Sequence, residues 1–217
     1  MDRQINWRYL IPLVSTLTFG CANIGFVITG NNQVGGILSE KMNWGESETT
    51  NNTAISSASI SGLLVGSFAI GPILQVIGRR NSIMLTSFMC IISVIPTVFL
   101  NLTSILIGRF ALGLSAGGLI VASSIYLNET VPVEHSYKFG FTINFGAICG
   151  VMLCLAMGAA LPDPKKSPAE ADANTFWIFI NMFAAIIGAV NLVLWLFVFK
   201  HESVKACLYM NQSEDGR

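Results

Sequence analysis

The chain has 217 residues, of which 53% are hydrophobic and 11% charged, with 12 basic residues balancing 12 acidic ones. Together with a mean hydropathy of +0.63, that is a membrane composition, and the absence of net charge leaves no basic field for nucleic acid or for an anionic membrane surface. Cysteines at 21, 90, 149, 154 and 207 have no spacing that suggests zinc or a disulfide framework, so neither a metal nor a cross-linked scaffold is expected.

A helix that crosses the hydrocarbon core needs about 20 mostly apolar residues. Residues 1–8 are too short for a targeting peptide, so the first such stretch, about 9–30, reads as a retained span that carries Pro12, Asn23 and Thr29. Residues 31–53, rich in Asn, Ser, Thr and Glu, read as an outer loop; Asn51, Asn52 and Thr53 form a glycosylation sequon there. The second span, 54–77, runs into Gly78, Arg79 and Arg80, and the third, 83–101, contains Pro96. The fourth, 104–128, begins beside Arg109 and is followed by Glu129 and Pro132. The fifth covers 139–161, the sixth 176–200, and residues 201–217 form a polar tail. Backbone groups cannot stay unpaired in lipid, and no two-residue alternation suggests a barrel, so the expected fold is an all-α membrane protein: one bundle of six transmembrane helices over 1–217.

Lysine and arginine set the expected orientation. Arg3, Arg8, Arg79, Arg80, Lys138, Lys200, Lys205 and Arg217 fall on one side and Lys41, Arg109, Lys165 and Lys166 on the other, eight against four. The positive-inside bias therefore puts both termini in the cytoplasm. Gly62 with Gly66, Gly113 with Gly117, and Gly146 with Gly150 recur at four-residue spacing, which lets helices approach closely in lipid and also suits helices that rock against one another. His135 and His201 lie at aqueous loop ends, no carboxylate pair occupies a pocket-like stretch, and no glycine-rich loop joins a strand to a helix. No catalytic residue and no cofactor are expected.

Several of these segments resemble the sugar porter branch of the major facilitator superfamily, and the resemblance covers the chain as that family's amino-terminal six-helix half. Gly71 through Gly78, Arg79 and Arg80 are similar to the loop that follows the family's second helix, with Gln75 where an aspartate is usual. Gly108, Arg109 and Phe110, followed by Gly113, Gly117, Tyr126, Glu129 and Pro132, form the most specific part of the likeness. Phe19, Gly20, Asn23 and Gly25 resemble the first-helix pattern with one extra residue, and Lys138, Gly140, Asn144 and Gly150 resemble the start of the fifth helix. Glu202, Ser203, Val204 and Lys205 resemble the segment after the sixth helix without its two prolines.

The resemblance implies transport of a neutral sugar, a hexose by analogy, between two six-helix halves by alternating access. It places Asn144 at a sugar-binding glutamine position. A neutral sugar needs uncharged donors and acceptors near mid-membrane, which adds Asn23 and Thr29 as candidates; interhelical hydrogen bonding is their structural alternative, and Asn181 and Asn191 are assigned mainly to that use. Arg79, Arg80 and Lys138 share a predicted face with Glu129 and Glu202, so ion pairs there would close the cytoplasmic side, while Gln75 removes one anionic partner. Arg109 is expected near the outer end of its span, snorkelling or salt-bridged. The lack of an interior Asp or Glu favours passive uniport over proton symport. A lone half would present a polar face to lipid, so the expected partners are a neutral sugar, the bilayer and a second six-helix half. That half could lie in a longer polypeptide or a second copy; the alternative is a relic that serves as a non-transporting membrane subunit or adaptor.

Overall fold

In a computed structural model the described residues are 7–131, 133–161 and 175–197, with the side chains of 7–9 and 133–138 left outside the description. Six long helices account for nearly all of them: α1 (Trp7–Lys41), α2 (Glu48–Ile77), α3 (Arg79–Val98), α4 (Leu102–Thr130), α5 (Val133–Gly158) and α6 (Phe176–Phe197). Each has the length and composition to cross a membrane, and there is no strand among the described residues. The chain is a multi-pass integral membrane protein with an all-α fold.

The outer loop expected at 31–53 is largely helix. α1 continues to Lys41 and α2 starts at Glu48, so only a short connection with a 3-10 turn at Gly45–Ser47 separates them. At about 1.5 Å per residue the 35 residues of α1 extend for roughly 52 Å, well beyond a hydrocarbon core of about 30 Å. Polar composition along a segment does not by itself end a helix, so the expected loop is continuous with the helices on either side of it. The sequon residues Asn51, Asn52 and Thr53 accordingly sit on the first turns of α2. The start of α3 is also earlier than 83 and that of α5 earlier than 139.

The bundle is apolar outside, and inside it polar and small residues are set among a larger number of buried aliphatic and aromatic side chains. Asn23, Arg109, Ser87, Asn181 and Asn191 are buried, whereas Phe68 and Val76 are 77% and 82% exposed. In water such a surface would aggregate; in a bilayer it is the solvated face. Two glycine seams bring helices into backbone contact. On the α2–α4 seam a Cβ at Gly62 or Gly66 would strike the carbonyl oxygens of Phe110 or Leu114, and one at Gly113 or Gly117 those of Ser59 or Leu63. On the α1–α5 seam Gly25, Gly146 and Gly150 meet the carbonyls of Ala147, Thr18 and Ala22 in the same way. The three four-residue glycine pairs are thus the contact points of two helix pairs. α3 and α6 pack together behind α1 and α4, while α2 and α5 are the least buried of the six helices.

Prolines do not interrupt the helices. Pro12, Pro72 and Pro96 all lie inside them; near Pro12, the Thr16 hydroxyl donates to the Pro12 carbonyl at 2.9 Å. α4 starts on Asn101, whose side chain accepts the Thr103 N–H at 3.1 Å, an ordinary N-cap.

Candidate functional site

Two polar constellations stand out, one at the end of the bundle where α2 meets α3 and one in its interior. The first is created by a single residue. Gly78 alone separates the two helices, with φ 93° and ψ 162°, a region that is essentially restricted to glycine. This turn starts α3 at Arg79 and Arg80 without a loop.

Arg79 then reaches α4. Its Nε and Nη2 both donate to Glu129 Oε1, at 3.2 and 3.0 Å, and Nη1 donates to the Leu74 carbonyl at 3.4 Å. Each side chain of the pair is only 12% exposed, so solvent screening is weak and the bond exceeds the usual surface ion pair. Arg80 turns the other way, donating from Nη2 to the Trp195 carbonyl of α6 at 3.0 Å. Tyr126, one turn before Glu129, is buried edge-on against Trp195, with ring centroids 5.1 Å apart and planes at 83°. One arginine pair and one aromatic pair therefore join the ends of α3, α4 and α6.

The other residues expected in this cluster are less engaged or undescribed. Gln75 is exposed on the last turns of α2. Lys138 belongs to α5, but its side chain lies outside the described residues, as does all of Glu202.

In the interior, α6 presents Trp177, Asn181, Ala184, Gly188, Asn191 and Trp195 at alternating steps of four and three, a single helical stripe that is buried throughout. Asn181 Oδ1 accepts from Arg109 Nη2 at 2.7 Å while its Nδ2 donates to the Trp177 carbonyl at 3.1 Å. Asn191 Nδ2 donates to Ser87 Oγ of α3 at 3.0 Å. The neighbouring α1 makes room for Asn191 with Gly20, where a Cβ would come 2.7 Å from its Nδ2; at the Arg109 level a Cβ at Gly30 would stand 3.6 Å from Nη1, an ordinary contact.

Arg109 corrects the sequence expectation. It is 4% exposed and faces Asn181, not the interface. Its Nε has no hydrogen-bond partner among the described residues. A guanidinium in that position is costly unless hydrogen-bonded, which is why the interior asparagine opposite it is held by a second bond. The signal was present as Asn181 and Asn191 ten residues apart on one face of α6, but the partner lies 72 residues away from Arg109, and spacing along one helix does not identify its neighbour.

The three sugar-site candidates are dispersed. Asn23, 3% exposed, donates from Nδ2 to Cys90 Sγ at 3.1 Å and to the Ala184 carbonyl at 3.2 Å. It thereby faces α3 and α6, and its Oδ1 has no hydrogen-bond partner among the described residues. Thr29 is buried in α1. Asn144 is exposed on α5, one of the two least buried helices.

The family described as Sugar (and other) transporter matches residues 14–205 of this chain. Among curated relatives, the chain is 33% identical over 114 residues to the facilitated trehalose transporter Tret1 of Drosophila willistoni, covering 46% of this chain and 13% of that protein. It is 31% identical over 116 residues to the glucose transporter GlcP of Staphylococcus epidermidis, covering 53% and 26%. Hexose transporter 1 of Plasmodium knowlesi is 28% identical over 147 residues, covering 65% and 29%. In fold, the chain superposes on the proton:xylose symporter XylE bound to 6-bromo-6-deoxy-D-glucose with a TM-score of 0.81 at 18% identity, covering 97% of this chain and 48% of that one. The inward-open XylE from E. coli gives 0.77 at 18% identity, covering 92% and 50%. The chain thus spans about half the length of these solved structures and a smaller share of the curated relatives. These relatives are transporters, not enzymes.

Proposed function

Because the chain belongs to the sugar (and other) transporter family, we propose that it forms one half of an alternating-access pathway for a neutral sugar, with glucose or another hexose as the first substrate to test. The family match over residues 14–205 carries this reading, and the Arg79–Glu129 pair gives it a moving part. In this reading the α2–α3 end is cytoplasmic, as the Lys and Arg distribution favours, and the pair holds that end shut. Separation of α3 from α4 there would exchange one well-aligned charged contact for water, a small enough change to be reversible in a transport cycle.

A second six-helix half, from the same polypeptide or another, would cover the open sides of α2 and α5. Asn144 on α5 then faces the pathway and supplies an amide to sugar hydroxyls, and Asn23 and Thr29 are the further candidates from α1. Lys138 and Glu202, whose side chains lie outside the described residues, are the further members proposed for this cluster. Arg109 meets an amide and no carboxylate among the described residues, which favours passive movement over proton coupling.

Replacement Asn144→Ala tests the reading. Sugar uptake should fall at least tenfold, the scale of about 1.4 kcal/mol, with the amount of protein in the membrane unchanged. Full uptake would remove Asn144 from the pathway. A second reading is favoured by Gln75 in place of an acidic residue and by the missing prolines around Glu202: a membrane subunit derived from a porter. That protein would show no uptake in any variant and would co-purify with a larger partner.

A further inference from the structure

The guanidinium of Arg109 is the most deeply buried charge among the described residues, at 4% exposure. It lies two turns into α4, roughly 10 Å along the helix from Leu102. Its fork of N–H donors is mostly unused. Among the described residues Nη2 donates to Asn181 Oδ1 at 2.7 Å, Nε is buried with no partner, and no carboxylate pairs with the side chain. A buried cation without a counter-charge is among the costliest interior groups, because the low dielectric penalises the charge and nothing nearby offsets it.

A cavity of about 10 Å³ adjoins this guanidinium, lined also by Gly30 of α1, Leu112 of α4, and Asn181 and Ala184 of α6. It is the space of a single water-sized species, for which about 10–15 Å³ is needed. Gly30 keeps part of it open: a Cβ there would stand 3.6 Å from Arg109 Nη1 and 4.0 Å from Cys154 Sγ and would meet nothing closer. The lining is unbalanced in its hydrogen bonding. Arg109 offers donors, whereas Asn181, the other polar side chain, already has its Oδ1 on Arg109 and its Nδ2 on the Trp177 carbonyl. A water is held well only when it can donate as well as accept; an anion only accepts. The chemistry on offer is therefore that of an anion site, and its size admits only a monatomic or similarly small one.

We propose that this cavity binds one small monovalent anion, chloride or a congener, as the counter-ion of Arg109. Entry costs the anion its hydration, and the guanidinium offsets that loss because each charge removes the other's penalty. So placed, the ion joins α4 to α1 and α6 at the end of α4 away from Glu129. It is a ligand distinct from any transported sugar, and the inference stands whether or not the chain moves one.

Stability and direct binding test it together. The full chain is purified in detergent in sodium methanesulfonate, and chloride replaces methanesulfonate at constant ionic strength. A ligand that binds the folded state alone stabilises it through the factor 1 + [L]/Kd, so Tm should rise with chloride and saturate, and equilibrium dialysis should find about one radiolabelled chloride per chain. Bromide should displace the label and sulfate should not. Gly30→Ala fills the cavity without a clash and replaces glycine within a helix, so its Tm in methanesulfonate should be at least that of the parent. It should nevertheless weaken chloride binding at least about tenfold and lose the Tm response. Arg109→Met should abolish binding as well, and Gly30→Ala keeps the test decisive where that variant does not fold. Chloride binding and a Tm response unchanged in Gly30→Ala would overturn the site, since the ion then binds elsewhere. Equal Tm in the two salts with no bound label would overturn it also, because the cavity then holds water only.

Discussion

Arg79 directs two donors onto one oxygen of Glu129, so the contact is sensitive to the charge on that oxygen more than to its shape. Glu129→Gln keeps an acceptor of the same size and removes the charge. Hydrogen bonds to charged groups contribute about 1.5–3 kcal/mol, and under the proposed alternating-access reading that amount is divided between stability and conformational bias. Glu129→Gln is therefore expected to lower the apparent Tm and to raise the rate at which a cysteine placed near Arg79 reacts with an aqueous thiol reagent. Gln75→Asp, which restores an anion on the neighbouring turn of α2, should move the same reaction rate in the opposite direction. Unchanged rates in both variants would show that the cluster is a fixed structural contact and not a gate. The sequence made Arg79 and Glu129 legible because a motif and a helix end announce them. It could not place Arg109, since only the folded neighbour, Asn181, distinguishes a buried guanidinium from one that reaches the interface.

The six spans were legible because length and apolarity are properties of each segment alone. Their ends were not. Residues 31–41 and 48–53 are polar yet helical, because beyond the hydrocarbon core a helix needs only its own backbone bonds and a neighbour, and α1 and α2 are neighbours there through Asn31 and Ser56. The glycine pairs were visible by spacing, but which helix each pair met required the fold. Gly113 on α4 opposes the Ser59 carbonyl of α2, whereas Gly71 on α2 has nothing within 4 Å of a new Cβ. Gly113→Val should therefore force α2 and α4 apart, at a cost of about 1–3 kcal/mol or more for overpacking, and broaden or abolish the monodisperse peak of the detergent-solubilised protein. Gly71→Ala should leave the peak as it is. Equal behaviour of the two variants would mean that the α2–α4 seam does not hold the bundle together.

At the scale of the molecule, interior and exterior are unequal on different sides. α3 and α6 close the back of the bundle around a buried stripe of α6, whereas α2 and α5 keep most of their surface open. Part of that surface is suited to lipid, as with Phe68 and Ile60. Part is not: Asn144 of α5 and Ser57 of α2, both exposed within the expected spans, carry groups that pair with water or protein. A helix bundle surrounded by lipid on all sides would have to leave these groups unpaired or recruit water into the bilayer, and a second half placed over α2 and α5 removes the problem by enclosing them in an aqueous pathway. The expected native unit in mild detergent is consequently at least about twice the 23.4 kDa of this chain after the detergent contribution is subtracted, since each half of a two-fold transporter has comparable size. Light scattering coupled to size-exclusion chromatography measures it, and an antibody against residues 31–53 on a denaturing gel separates the two ways of reaching it. A doubled native mass with a 23.4 kDa denatured band means two chains supply the halves; a doubled denatured band means one polypeptide does. A stable, monodisperse particle of one six-helix set would contradict the half-transporter reading, because the polar faces of α2 and α5 would then be tolerated without a partner.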